Sequence, residues 1–134
     1  MALADNLLAY WKLDDDGSGD VSLVDSTGNG NTLTNVGGVT LGTGLINGDA
    51  VVSGGNYLSD TIDLAGATDF TYSVWVKYNS ADITTYSSFI IGQCGTGGVN
   101  IANIAAQSTG LYAYMAGPNI ETPRFDIEIG RAHV

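Results

Sequence analysis

The sequence contains few cysteine, proline and basic residues, and each shortage excludes a class of structure or of partner. Its single cysteine, Cys94, excludes an internal disulfide and decides nothing about secretion. The 2 prolines, set against 19 glycines, exclude a proline-rich linker and are typical of many tight turns. No apolar run approaches the roughly 18 residues that a membrane-spanning helix needs. With 44% hydrophobic residues, the 134-residue chain is long enough to form one packed domain.

The charge of the chain is strongly one-sided. Lys and Arg number 4 against 14 Asp and Glu, which gives a formal net charge of −10. Such a surface repels nucleic acid phosphates and anionic lipids, so we expect no nucleic acid partner and no membrane insertion. It suits cations and neutral ligands such as sugars. The opening segment, Met1–Trp11, lacks the basic region of a signal peptide, so none is expected.

Short alternating runs separated by turn residues predict an all-β protein with the many short strands of a sandwich or jelly roll. The clearest run is FTYSVWVK, Phe70–Lys77, which places Phe70 and Tyr72 on one face and Trp75 on the other. The other predicted strands are Ala9–Leu13, Asn31–Val36, Asp49–Ser53, Asn56–Asp60, Ser87–Gly92, Val99–Ala106, Leu111–Ala116 and Arg124–Ile127.

Three stretches, taken in order, carry a family resemblance. They are LLAYWKLDD at Leu7–Asp15, DSTGNGNTLT at Asp25–Thr34, and the segment Thr43–Lys77 with its FTYSVWVK ending. Over about 80 residues they resemble the LamG-like jelly-roll domains of the concanavalin A-like lectin/glucanase superfamily. One departure is Val51–Ser53, where that family usually has an aromatic residue followed by Asp-Gly. The resemblance implies an antiparallel two-sheet jelly-roll sandwich that is often carbohydrate-binding or adhesive.

The last eight residues, IEIGRAHV, hold the only histidine, His133. They can be interpreted as a degraded form of the family's G-x-W-x-H-V-A strand. Alternatively, the DNA sequence GAG-ATC-GGA-AGA-GCA-CAC-GTC-TGA encodes Glu128–Val134 and a stop codon, and it resembles a widely used sequencing-library adapter. We favour the adapter, so residues 128–134 are expected to be an adapter-derived tail and residues 1–127 the N-terminal part of an incomplete jelly roll. An uncovered sheet face would then promote self-association.

Two loops rich in oxygen ligands are candidates for calcium. The candidate ligands are Asp14, Asp25 and Asn29, since Ca²⁺ takes about six to eight oxygen ligands, often from Asp, Asn and backbone carbonyls. The spacing lacks the third-position acid and the distal Glu of an EF-hand loop. In the alternative interpretation Asp25 binds the amides of its own turn, while Gly28 and Gly30 supply positive φ angles. Both interpretations stay open from the sequence.

Three aromatic residues are candidates for sugar binding: Trp75, Tyr112 and Tyr114. An aromatic ring exposed on a sheet offers apolar area with a polar rim, which can stack on the C–H face of a sugar. The alternative is that each ring is buried under a loop or an opposing sheet.

No catalytic residue is predicted. The stretch RFDIE, Arg124–Glu128, resembles the carboxylate-bearing strand of the superfamily's glucanases, but Arg124 stands where the first Glu should be. Retaining hydrolysis needs two carboxylates about 5 Å apart. Cys94 has no nucleophile partner once His133 is assigned to the tail.

These observations favour a non-enzymatic, lectin-like carbohydrate-binding or surface-binding module of a phage virion or bacterial surface protein. Its expected partners are glycans or a cell-surface receptor, and its expected location is a virion or the cell surface. The alternative is a structural or assembly module with no ligand. A third hypothesis is the remnant of a glycoside hydrolase. No cofactor other than calcium is expected.

Overall fold

The computed structural model describes residues 6–62, 64, 70–77, 88–94, 100–107 and 110–115. Strands are the main regular secondary structure of these residues and none of the residues lies in an α-helix, so the predicted all-β class is confirmed. The same residues include no helix that is long and apolar enough to cross a membrane. The chain divides into two compact units, Met1–Ala67 and Thr68–Val134.

The first unit contains two antiparallel strand pairs. The strands are β1 (Thr34–Val36), β2 (Thr40–Gly42), β3 (Asp49–Val51) and β4 (Tyr57–Ser59). Strand β1 pairs with β4, and β2 pairs with β3, which follows it along the chain. Ladders of three residues are marginal by themselves in water. The loops of this unit must therefore supply further hydrogen bonds.

The buried side chains of the first unit are few, and one of them is charged. Val21 and Val39 are buried, and so is Asp25. Asn35, on β1, holds the backbone of Val39 from both sides: its Nδ2 donates to Val39 O at 2.7 Å, and its Oδ1 accepts from Val39 N at 2.8 Å. These two hydrogen bonds fix the turn from β1 into β2 and place Val39 in the core.

The second unit contains a three-stranded antiparallel meander. Its strands are β5 (Ser88–Cys94), β6 (Asn100–Gln107) and β7 (Gly110–Met115), and β6 lies in the centre. The β5–β6 ladder has register shifts, whereas the β6–β7 ladder is continuous from Ala102↔Met115 to Gln107↔Gly110. Ala105, in the central strand, is buried.

Six of the predicted strands coincide with observed strands to within a few residues, namely those that become β1, β3, β4, β5, β6 and β7. Two others differ. Phe70–Lys77 is paired into no sheet, and Ala9–Leu13 forms only the isolated bridge Trp11↔Asp25. Alternation determines which side chains share one face of a strand, but a sheet also needs a neighbouring strand within hydrogen-bonding distance. Strand β2 was not predicted, because T-L-G is too short to show alternation.

Two sequence-based expectations fall outside the described residues. They are the strand Arg124–Ile127 and the adapter-derived tail, residues 128–134. The two-sheet jelly-roll sandwich stays a prediction, since the described sheets are two strand pairs and one meander.

Candidate functional site

The turn that follows Val24 is organised by one carboxylate. Asp25 Oδ1 accepts hydrogen bonds from Thr27 N at 2.9 Å and from Thr27 Oγ1 at 2.7 Å. Gly28 N donates to Asp25 O at 3.3 Å, and Gly28 and Gly30 have φ angles of 81° and 88°. A short acidic side chain that binds the amide two residues ahead is the usual organiser of such a turn. The interpretation in which Asp25 binds turn amides is therefore confirmed.

The same carboxylate also reaches a distant segment. Tyr10 N donates to Asp25 Oδ1 and Asn31 N donates to Asp25 Oδ2, both at 3.1 Å. Ser26 N in turn donates a hydrogen bond to Tyr10 O at 2.7 Å. Only 4% of the Asp25 surface is exposed. Its four hydrogen bonds replace the hydrogen bonds with water that the carboxylate loses on burial.

Two asparagines complete this connection. Asn29 Nδ2 donates to the carbonyls of Leu7 and Leu8, at 3.2 Å and 3.1 Å, and Asn31 Nδ2 donates to Leu8 O at 2.9 Å. In the opposite direction, Trp11 Nε1 donates to Asn31 O. We call the two segments joined in this way, Leu7–Trp11 and Asp25–Asn31, the Asp25 clasp.

The electrostatics of the clasp favour an ionised carboxylate. Burial alone raises the pKa of the Asp25 carboxyl, but the hydrogen bonds from Thr27, Tyr10 and Asn31 outweigh it, so that the pKa lies well below its usual value. All of the donors are N–H or O–H groups, and each one prefers a charged acceptor.

We expect the clasp to weaken in acid. Because the pKa of Asp25 is lower in the folded chain than in the unfolded chain, its contribution is complete above the unfolded pKa of about 4 and is lost as the pH falls toward the folded pKa. Thermal melts between pH 7 and pH 2 will measure this. The acid-induced fall in melting temperature should be smaller in the Asp25→Asn variant, which has no carboxyl to protonate. An equal fall in both proteins would contradict the assignment.

Each of the calcium candidates has hydrogen-bond partners within the protein. Within the described part of the chain, Asp14 Oδ2 accepts only a long 3.5 Å contact from Asn47 Nδ2. Both Asp25 oxygens already accept N–H bonds, and Asn29 Nδ2 donates to two carbonyls. A cation at Asp25 would compete with its four donors. No group of three or more His, Cys, Asp or Glu side chains suited to a metal occurs among the described residues. The arrangement suits backbone binding better than calcium, which stays a prediction.

An acidic loop borders a cleft that the sequence did not reveal. Asp16 Oδ1 accepts from Ser18 N at 2.8 Å and from Ser18 Oγ at 2.7 Å, and these bonds lower the pKa of Asp16. Asp16 lies at a cleft of about 440 Å³ that Val21 and Val39 also line. The only sequence signal for this cleft was an isolated valine, Val39, after two glycines.

Of the three aromatic candidates, the structure describes the side chain of Trp75 alone. Trp75 is 99% exposed, so the alternative of a buried ring is wrong for this residue. Nearby, the Phe70 and Tyr72 rings are 5.3 Å apart and tilted by 49°, as expected for residues on one face, and burial raises the pKa of Tyr72. Tyr112 and Tyr114 lie on β7, opposite Ala105 and Asn103 in the ladder, and their side chains are outside the described part of the structure.

Comparison of the chain with protein-family models, with curated proteins and with solved structures finds no match.

Proposed function

We propose that this protein is a non-enzymatic carbohydrate-binding module, and that Trp75 is the stacking platform for the sugar. The observation that carries the proposal is the exposure of this indole, 99% of whose residue surface is open to solvent. A fully exposed tryptophan leaves a large apolar surface in water, and covering that surface with a ligand is favourable. The ring also carries an N–H donor for a sugar hydroxyl.

The surroundings of Trp75 support a neutral ligand. By sequence alternation, Thr71, Ser73 and Lys77 are expected to share its side of the segment, where they would offer hydroxyl and ammonium groups beside the ring. The net charge of −10 disfavours anionic polymers but does not repel an uncharged glycan. An aromatic ring flanked by hydrogen-bonding groups is a usual arrangement for holding a sugar ring.

A glycan array probed with the whole 134-residue chain tests the proposal. We expect Trp75→Ala to weaken binding about tenfold or more, because the stacking area is lost, and Trp75→Phe to retain most of it. The matched control is Leu45→Ala, which removes another fully exposed apolar side chain from the other unit. The proposal fails if Trp75→Ala binds as well as the unmodified chain.

A second candidate function is assembly without a ligand. It is favoured by the unpaired state of Phe70–Lys77, where Phe70, Val74 and Val76 are all exposed although the alternation is that of a strand. Such a segment can add to the sheet edge of another chain. A blank glycan array, together with a sedimentation coefficient that rises with protein concentration, would favour assembly over sugar binding.

A further inference from the structure

The first unit contains two Asn-Gly pairs, Asn29-Gly30 and Asn47-Gly48. In an Asn-Gly pair the backbone nitrogen of the glycine can attack the side-chain amide carbon of the asparagine, since glycine has no side chain to block the approach. Two such pairs within one folded unit offer an internal comparison, because their asparagine amides are held very differently.

The amide of Asn47 is almost unrestrained. Asn47 lies in an exposed loop, next to Ile46 and Leu45, which are 80% and 100% exposed. Among the described residues, its Nδ2 makes only the 3.5 Å contact to Asp14 Oδ2, which is longer than a normal hydrogen bond. Its backbone φ of 54° is in the left-handed region, and Gly48 follows with a φ of 106°.

The amide of Asn29 is held in place. Its Nδ2 donates to two carbonyls, Leu7 O at 3.2 Å and Leu8 O at 3.1 Å, and its backbone N donates to Thr27 Oγ1 at 3.2 Å. Rotation of this side chain toward Gly30 N would break both hydrogen bonds that its Nδ2 donates. The Asp25 clasp therefore protects Asn29 from attack.

We propose that Asn47 is a site of spontaneous deamidation in the folded protein. The Gly48 backbone nitrogen loses its proton and bonds to Asn47 Cγ. The bond from Cγ to the amide nitrogen breaks, and that nitrogen leaves as ammonia after taking up the proton. Water then opens the resulting succinimide ring at either carbonyl, which gives aspartate or isoaspartate at position 47. No oxidant, reductant or enzyme is required.

The reaction would alter the loop that joins β2 to β3. Asn47 O accepts a hydrogen bond from Asp15 N at 2.9 Å, and its side chain faces Asp14. Either product places a new carboxylate beside Asp14, where like charges repel. Isoaspartate also adds a methylene group to the main chain, which displaces the carbonyl that Asp15 N uses.

The test is a time course of the whole chain at mildly alkaline pH, followed by peptide mapping with tandem mass spectrometry. Trypsin leaves both sites in the single peptide Leu13–Lys77, so fragmentation must localise the mass gain and identify isoaspartate. We expect Asn47 to react about tenfold faster than Asn29, because two hydrogen bonds protect the latter. In denaturant the two rates should become similar.

Two controls make the outcome decisive. Asn47→Gln should abolish the fast phase and leave the slow reaction at Asn29 unchanged. Asn31→Ala, which removes one bond of the clasp but neither Asn-Gly pair, should accelerate Asn29 only. Equal rates at the two sites in native buffer, or a native rate at Asn47 far below its rate in denaturant, would overturn the proposal.

Discussion

Replacing Asp25 by alanine is expected to lower the melting temperature of the first unit by about 10 °C or more. The substitution leaves four donors without an acceptor: the backbone amides of Tyr10, Thr27 and Asn31 and the Thr27 hydroxyl. These hydrogen bonds are partly buried, and a donor that loses its acceptor is costly where water does not fully replace the lost bond. Circular dichroism during heating will measure the change.

The chain provides a matched control for this experiment. Asp16 accepts the same local pair of bonds from Ser18, N and Oγ, that Asp25 accepts from Thr27, but Asp16 is exposed and no distant donor among the described residues reaches it. Asp16→Ala should therefore lower the melting temperature by only about 2 °C. If the two variants lose equal stability, the connection from Asp25 to Tyr10 and Asn31 does not stabilise the unit.

Replacing Gly44 by alanine is expected to cost about 3 kcal/mol of unfolding free energy, the upper end for forcing an extra methyl group into a packed site. A Cβ at this position would overlap the carbonyl of Gly48 and lie 2.8 Å from Asp49 N. Both obstacles are backbone, so no side-chain rotation relieves them. The loop between β2 and β3 would have to open, and urea denaturation will report the loss as a lower midpoint.

Gly54→Ala separates crowding from backbone strain. Gly54 has a φ of 62°, and a Cβ there meets nothing within 4 Å. Alanine at this position bears only the left-handed backbone penalty of about 1 kcal/mol. A Gly44→Ala variant as stable as Gly54→Ala would show that Gly44 and Gly48 do not approach each other closely.

The local parts of the candidate site could be predicted from the sequence. The string D-S-T-G-N-G predicts a turn in which an aspartate binds nearby amides and glycines take positive φ angles, and Asp25, Gly28 and Gly30 do this. Alternation likewise located β6 and β7 to within a residue or two. These features depend on interactions between neighbours along the chain, which a sequence displays directly.

The long-range parts could not be predicted. Tyr10 and Asp25 are 15 residues apart, and nothing in either motif indicates that the amide of one meets the carboxylate of the other. Phe70–Lys77 is a second example. Its alternation correctly placed Phe70 and Tyr72 on one face, but it could not show whether another strand lies alongside to pair with the segment. The exposure of Trp75 also depends on what packs beside it, which its position in the sequence does not display.

The two tryptophans also give the protein a built-in optical reporter. Trp11 is half-buried and bonded through its ring nitrogen to the Asp25 clasp, whereas Trp75 is in water and belongs to the other unit. Indole emission shifts to longer wavelength in a polar environment, so the bluer part of the fluorescence spectrum comes from Trp11. In a Trp75→Phe background the whole signal reports the clasp, and acrylamide quenching follows its opening without any added label.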